Sequence, residues 1–283
     1  MATSIEEIIL DRDRRGISAL APHLPGDFCG QAADLILGHP GPVIIVTGFY
    51  ILAAAAAETD GPPGAIALGR ALGSIGYDVF HVTDQYAEPI MASIEGSVSH
   101  VVNFPIMDKE ASKEFAEGLI SDIRPSVIIS IERCGPTEDG VYRNMRNMDI
   151  TENTARLDTL FASHPNTVGI GDGGNEIGMG NLSAVISQVP SLVEKSCVTK
   201  TTKLVISSVS NWGGYGLVAA ISMRRNENLL ISVEEEQDLV RRVVDMGAVD
   251  GMSTKSEYKV DGFTIEENSE IMARLHELLD SEG

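Results

Sequence analysis

The segment Gly169–Asn181 reads GIGDGGNEIGMGN and places two carboxylates, Asp172 and Glu176, and one amide, Asn175, among closely spaced glycines. Glycine permits tight backbone conformations and lets the main chain approach a ligand closely, so Gly173, Gly174 and Asn175 are candidate substrate contacts beside the two acids. Further acids follow other apolar runs: Glu58 and Asp60, then Asp84, then Glu132 and Asp139. Any one of them alone can be a loop solubiliser or a helix cap. Several carboxylates delivered to one crevice repel one another unless they are protonated or share a cation. A hard divalent ion, Mg²⁺ or Mn²⁺, suits such an oxygen-rich set.

Gly169, Gly171 and Gly174 also fit the GxGxxG spacing of a dinucleotide loop. That reading fails on context. Asp172 would face the pyrophosphate, the following NEIGMGNL is too rich in glycine to begin a good helix, and the motif comes late without a second strand ending in an acid. A second glycine-rich segment, Asn211–Gly216 (NWGGYG), follows a strand and precedes the helix expected over Leu217–Met223. The amides at its start can take a carboxylate or phosphate. Trp212, the single tryptophan, either walls a pocket or packs in the core. Cys134 follows Glu132 and Arg133, but no histidine lies nearby in sequence to activate a thiol nucleophile.

The elements that must position these residues are legible as apolar runs. Strands are expected at Val43–Thr47, Tyr77–Thr83, Ser99–Phe104, Ser126–Ile131, Thr167–Ile170 and Lys203–Ser208. Helices are expected at Ser4–Leu10, at Ala65–Leu72 with Pro62 and Pro63 in its first turn, at Lys109–Ile123, at Asp149–Ala162 with Thr151 as N-cap, and at Val233–Met246. Alternation of this kind predicts an α/β fold: a Rossmann-like, mostly parallel open sheet with helices on both faces, in a single domain over 1–283. In such sheets ligands bind beyond the carboxyl ends of the strands, where the acids fall.

The chain has 283 residues, 43% hydrophobic and only 5% aromatic, so the core is mostly aliphatic. A formal net charge of −20 argues against nucleic acid or an anionic membrane as partner. Cys29, Cys134 and Cys197 form no CxxC pair. The start MATSIEEIILDRDRRG does not read as a signal peptide, and no apolar stretch approaches the about 18 residues of a membrane span. A soluble, cytoplasmic protein is expected; homo-oligomerisation is left open.

Glu58–Ala65 (ETDGPPGA), Ile131–Gly135 (IERCG), Asp139–Asn147 (DGVYRNMRN), Gly169–Asn181, Asn211–Leu217 (NWGGYGL) and Gly247–Gly251 (GAVDG) together resemble the D-glutamate cyclase C-terminal domain family. The resemblance runs from about Thr47 to Gly262, and GDGGNEIGMGN is its most specific motif. It implies a Rossmann-like fold, an acidic metal-binding cavity and a lyase activity that dehydrates D-glutamate to 5-oxo-D-proline. In two-domain animal members this segment follows a larger N-terminal region, which the present sequence is expected to lack. The implied roles are a divalent metal held by Glu132, Asp172 and Glu176, with Asp172 and Glu176 also counted as catalytic. Asp60 and Asp139 are the expected proton carriers. Arg133 and the residues Asn211, Trp212 and Gly213 are expected to hold a dicarboxylic amino acid or its lactam. A metal-dependent phosphoester hydrolase and a non-catalytic metal- or small-molecule-binding module are the alternatives.

Overall fold

The computed structural model describes residues 4–95 and 99–282. The chain opens with α1 (Ile5–Ile9), a 3-10 turn Ile17–His23 and α2 (Phe28–Leu37). β1 (Pro42–Val46) follows, then a small ladder of β2 (Tyr50–Ile51) and β3 (Ala56–Ala57), α3 (Pro62–Ser74), β4 (Asp78–Thr83), α4 (Glu88–Glu95) and β5 (His100–Asn103). Next come α5 (Lys109–Ile123), β6 (Val127–Ile131), β7 (Thr167–Gly171), the short α6 (Ser183–Ile186) and β8 (Lys203–Ile206). α7 (Ser210–Arg225), α8 (Val233–Asp245), the hairpin β9 (Lys259–Val260) and β10 (Phe263–Thr264), and α9 (Ile265–Glu282) complete the described chain.

Six strands form one parallel sheet in the order β5-β4-β1-β6-β7-β8. Counted along the chain this is 3-2-1-4-5-6, the Rossmann order, with its reversal between β1 and β6. β6 and β7 are buried throughout, as expected of parallel strands covered on both faces. Alternate residues serve opposite sides. Val43, Ile45, Ile129, Ile131, Val168 and Ile170 join the core shared with α2, α3 and α7, whereas Ile44, Val46 and Ile128 join Ala116 of α5 and Leu157, Leu160 and Phe161. The expected α/β architecture is therefore present. No helix among the described residues is long and apolar enough to cross a membrane.

Two local expectations give way. Asp149–Ala162 is not a helix but two 3-10 turns, Thr151–Asn153 and Leu157–Phe161. Its short polar side chains bond to nearby backbone instead: Asp149 accepts from the Thr151 amide at 2.8 Å, Thr154 donates to Ile150 O at 2.9 Å, and Thr159 donates to Arg156 O at 2.6 Å. Thr151 accepts from the Tyr142 amide at 3.0 Å rather than capping its own turn. The glycine-rich Asn211–Gly216 is not a loop but the first turns of α7. Close packing overrides the poor propensity here. A Cβ on Gly213 would lie 2.6 Å from Ile170 Cγ2, and one on Gly214 would lie 3.2 Å from Gly64 Cα of α3. The sequence expectation contained neither α4 nor α9.

Candidate active site

The carboxyl ends of β1, β6 and β7 converge at the strand-order reversal, and the acids that follow them meet there. Glu58, Asp60, Glu132, Asp172 and Glu176 are all buried, joined by Asp261 from the β9–β10 turn. Oxygens of Glu132, Asp172 and Glu176 lie within 4.8 Å of one another, as do oxygens of Asp60, Asp172 and Asp261. Asp172 belongs to both triads.

Each carboxylate has a local reason for its place. Glu132 takes a left-handed backbone, φ 44°, directly after β6, a conformation that costs a residue of its kind on the order of 1 kcal/mol. It accepts from the Ser210 hydroxyl at 2.6 Å. Glu176 folds back over its own loop and accepts from the amides of Gly173 at 2.8 Å and Gly174 at 2.7 Å. Gly171 makes this possible, since a Cβ there would sit 2.9 Å from Glu176 Cδ. Asp60 accepts from the amides of Ser210 and Asn211, both at 2.8 Å, and so caps α7 from outside that helix. Glu58 lies against Gly251, where a Cβ would fall 2.3 Å from Glu58 Oε2. Asp250 accepts from the amides of Ser253 and Gly262, both at 2.7 Å, and holds the turn that presents Asp261.

Burial is the first cause of the electrostatics. It raises Asp60 to about 8, reinforced by Asp261. It also pushes Glu58, Glu132 and Asp172 well above the carboxylate range; Asp261 and Asp60 add to this at Glu58, and Glu176 adds to it at Glu132. At Asp172 the opposing influence is Arg15, whose guanidinium contacts Asp172 and reaches Asp261 at 2.7 Å. Asp172 Oδ1, Asp261 Oδ2 and Asn175 Oδ1 are buried without a partner among the described residues. Hard oxygen donors left unsatisfied at this spacing suit Mg²⁺ or Mn²⁺. The residues present fit the ion that the acidic loop implies.

A cavity of about 300 Å³ opens over the cluster. Its lining includes the carboxylates Glu58 and Glu132, the amide Asn175, the cations Arg14, Arg15 and Arg146, and the apolar side chains Phe49 and Met252.

Several expected site residues are engaged elsewhere. Arg133 is buried in an ion pair with Asp84 at 2.7 Å and donates to Gly48 O at 2.6 Å and Ala155 O at 2.8 Å. It ties strand ends together. Asp139 lies apart from the cluster, paired with Arg143 at 3.0 Å and Lys195 at 3.1 Å on a separate surface cavity. The Gly173 and Gly174 amides are occupied by Glu176. Asn211 accepts from the amides of Gly61 at 3.0 Å and Gly64 at 2.8 Å, joining α7 to α3. Trp212 is fully buried, donates to Asn268 at 2.8 Å and packs against Phe263 with the rings tilted at 48°, and Gly213 packs on β7. Cys134 is buried on a strip whose neighbours bond to the glycine loop, Gly135 N to Asn175 O at 2.9 Å and Ile177 N to Arg133 O at 2.8 Å. Burial pushes its thiol well above the ordinary value, so it is no activated nucleophile.

Arg15 and Asp261 were missed from sequence. The signal for Asp261 was the Asp261-Gly262 pair of a two-residue hairpin, with φ values of 51° and 75°. Nothing in the sequence marked Arg15.

The human protein named "D-glutamate cyclase, mitochondrial" is 35% identical over 208 residues, covering 67% of this chain and 34% of the relative. The chain thus spans about a third of the length of that relative. The family model described as "D-glutamate cyclase-like, C-terminal" matches residues 5–276, nearly the whole sequence, including the glycine loop and every acid of the cluster. The chain belongs to the D-glutamate cyclase-like, C-terminal family.

Proposed function

We propose that this chain is a hydro-lyase that interconverts D-glutamate and 5-oxo-D-proline in the cavity above the carboxylate cluster. The observation that carries the reading is the two-signed lining of that cavity, which combines the buried acids Glu58 and Glu132 with the guanidiniums of Arg14 and Arg146. An amino acid with one ammonium and two carboxylates presents the matching charges. Membership of the family and the name of the human relative support the same substrate class. The net charge of −20 disfavours polyanionic partners.

Ring closure forms a C–N bond between the substrate's amine and its side-chain carboxyl carbon and expels water. The nitrogen gives up two protons in all, one before attack and one as the amide forms, and the departing carboxylate oxygen gains two to leave as water. Glu58 and Glu132 line the cavity, and burial pushes both carboxyls well above their ordinary value. Glu58, which lies outside the set of metal ligands, relays the protons from the nitrogen to the departing oxygen. Arg14 and Arg146 hold the α-carboxylate, a role that Arg133, locked between Asp84 and two carbonyls, does not fill. A Mg²⁺ or Mn²⁺ ion bound by Glu132, Asp172 and Glu176 would act as a Lewis acid on the carboxyl under attack. Asp60 keeps α7, and with it Ser210, in register with Glu132.

The test is incubation of purified protein and Mn²⁺ with D-glutamate, 5-oxo-D-proline and a generic phosphoester. Interconversion of the first two, lost in Glu132→Gln and Asp172→Asn variants of unchanged circular dichroism, is the expected result. Release of phosphate would instead select a hydrolase, and binding without turnover a non-catalytic module. Unchanged turnover in both variants would remove the cluster from the reaction.

A further inference from the structure

Both carboxylate triads bring their oxygens within 4.8 Å of one another and they share Asp172, yet they are not equivalent. Among the described residues no ion pair reaches Glu132 or Glu176 of the first triad. The triad of Asp60, Asp172 and Asp261 already receives a cationic side chain: Arg15 contacts Asp172 through Nη1 and Asp261 through Nη2 at 2.7 Å. We infer that Arg15 is a built-in cation that permanently fills the second of two adjoining cation sites, so that the protein binds a single divalent ion where its carboxylates would otherwise hold a pair. The inference rests on the cation-binding reading proposed above.

Three observations carry it. First, Arg15 is delivered by a fixed loop. Asp13 accepts from the amides of Arg15 at 3.0 Å, Gly16 at 2.7 Å, Ile17 at 3.2 Å and Ser18 at 2.9 Å, and Gly16 turns the chain at φ 85°. A side chain launched from such a support is preorganised. Second, a guanidinium is a planar fork that stays protonated at any pH a protein survives, so it does not vacate the triad by titration. Third, it leaves the triad incompletely satisfied. Asp261 Oδ2 and Asp172 Oδ1, the oxygens that Arg15 does not contact, lack hydrogen-bond partners among the described residues although these side chains are at least nine-tenths buried.

Native mass spectrometry and calorimetric titration with Mn²⁺ on the full chain decide the matter. The wild type should take up one equivalent, and Arg15→Met should take up two. Arg15→Gln, which keeps amide donors for Asp261 while removing the charge, should do the same. Before cation is added, both variants should melt at lower temperature than the wild type, and excess Mn²⁺ should restore more stability to them than to the wild type. A variant that folds only with Mn²⁺ present supports the inference equally; one that stays unfolded in excess Mn²⁺ overturns it, because an ion in the second triad should replace the lost charge. Two equivalents in the wild type, or one in both wild type and variants, would overturn the role given to Arg15. No uptake by the wild type would instead take down the cation-binding reading itself.

Discussion

At Gly171 the missing side chain lets Glu176 fold back until its carboxylate is held by the amides of its own loop. A methyl group there would meet Glu176 Cβ, Cδ and Oε2, all at 2.9 Å, and must push the carboxylate off its amides. Gly171→Ala is therefore expected to weaken Mn²⁺ binding by about tenfold, near 1.4 kcal/mol, with little change in circular dichroism. Calorimetric titration checks it, and an unchanged affinity would mean that the folded-back carboxylate is not a ligand. At this scale much of the cluster was legible in the sequence. Glu58, Asp60, Glu132, Asp172 and Glu176 each follow an apolar run, and a parallel sheet brings such positions to one edge. Asp139 obeyed the same rule and lies elsewhere, because the chain after Cys134 turns away in a polar loop that pairs Asp139 with Arg143 and Lys195. Arg15 was illegible for the converse reason: it comes from an N-terminal loop, and only tertiary packing carries it to the strand ends.

Among the elements, the strands were readable because burial on both faces requires continuous aliphatic runs, and the start of α7 was not. Its glycines satisfy the close approach to α3 and β7, a requirement set by neighbours rather than by the segment itself. The ends of β1 and β4 are joined by Arg133, whose pairing with Asp84 is buried on both sides. Removing one member of such a pair leaves the other charge uncompensated. Arg133→Met is expected to lower the unfolding free energy by about 3–5 kcal/mol. Urea denaturation followed by circular dichroism measures this directly. Loss of under about 1 kcal/mol would place the pair with weakly contributing surface ion pairs. The double variant Arg133→Met with Asp84→Leu should recover a large part of the loss, because no lone buried charge then remains.

Across the molecule, the helical layer of α7, α8 and α9 encloses a carboxyl remote from the cluster. Glu236 is 1% exposed, and burial raises it to about 7 despite the Ser269 hydroxyl that donates to it at 2.9 Å. The folded state thus holds a proton that the unfolded chain releases near 4.5. Its contribution to stability is complete below that value and is lost as pH rises through about 7, a change of about 3 kcal/mol. Glu236→Gln should flatten the fall of melting temperature across this window, and a profile that stays equally steep would assign the dependence to other groups. The three cysteines offer a further handle on the same molecule. All are buried thiols; burial raises Cys197 to about 12 and places Cys29 and Cys134 well above their ordinary value. An alkylating reagent can reach them only during excursions from the native arrangement, so each is a clock for its own neighbourhood. Cys134 lies between residues bonded to the glycine loop, and the Cys197 amide donates to Gly174 O at 2.9 Å, whereas Cys29 sits on α2. Mn²⁺ should therefore slow iodoacetamide capture of Cys134 and Cys197 more than that of Cys29, as peptide mapping over time would record; equal slowing at all three would show that the loop breathes only when the entire chain comes apart.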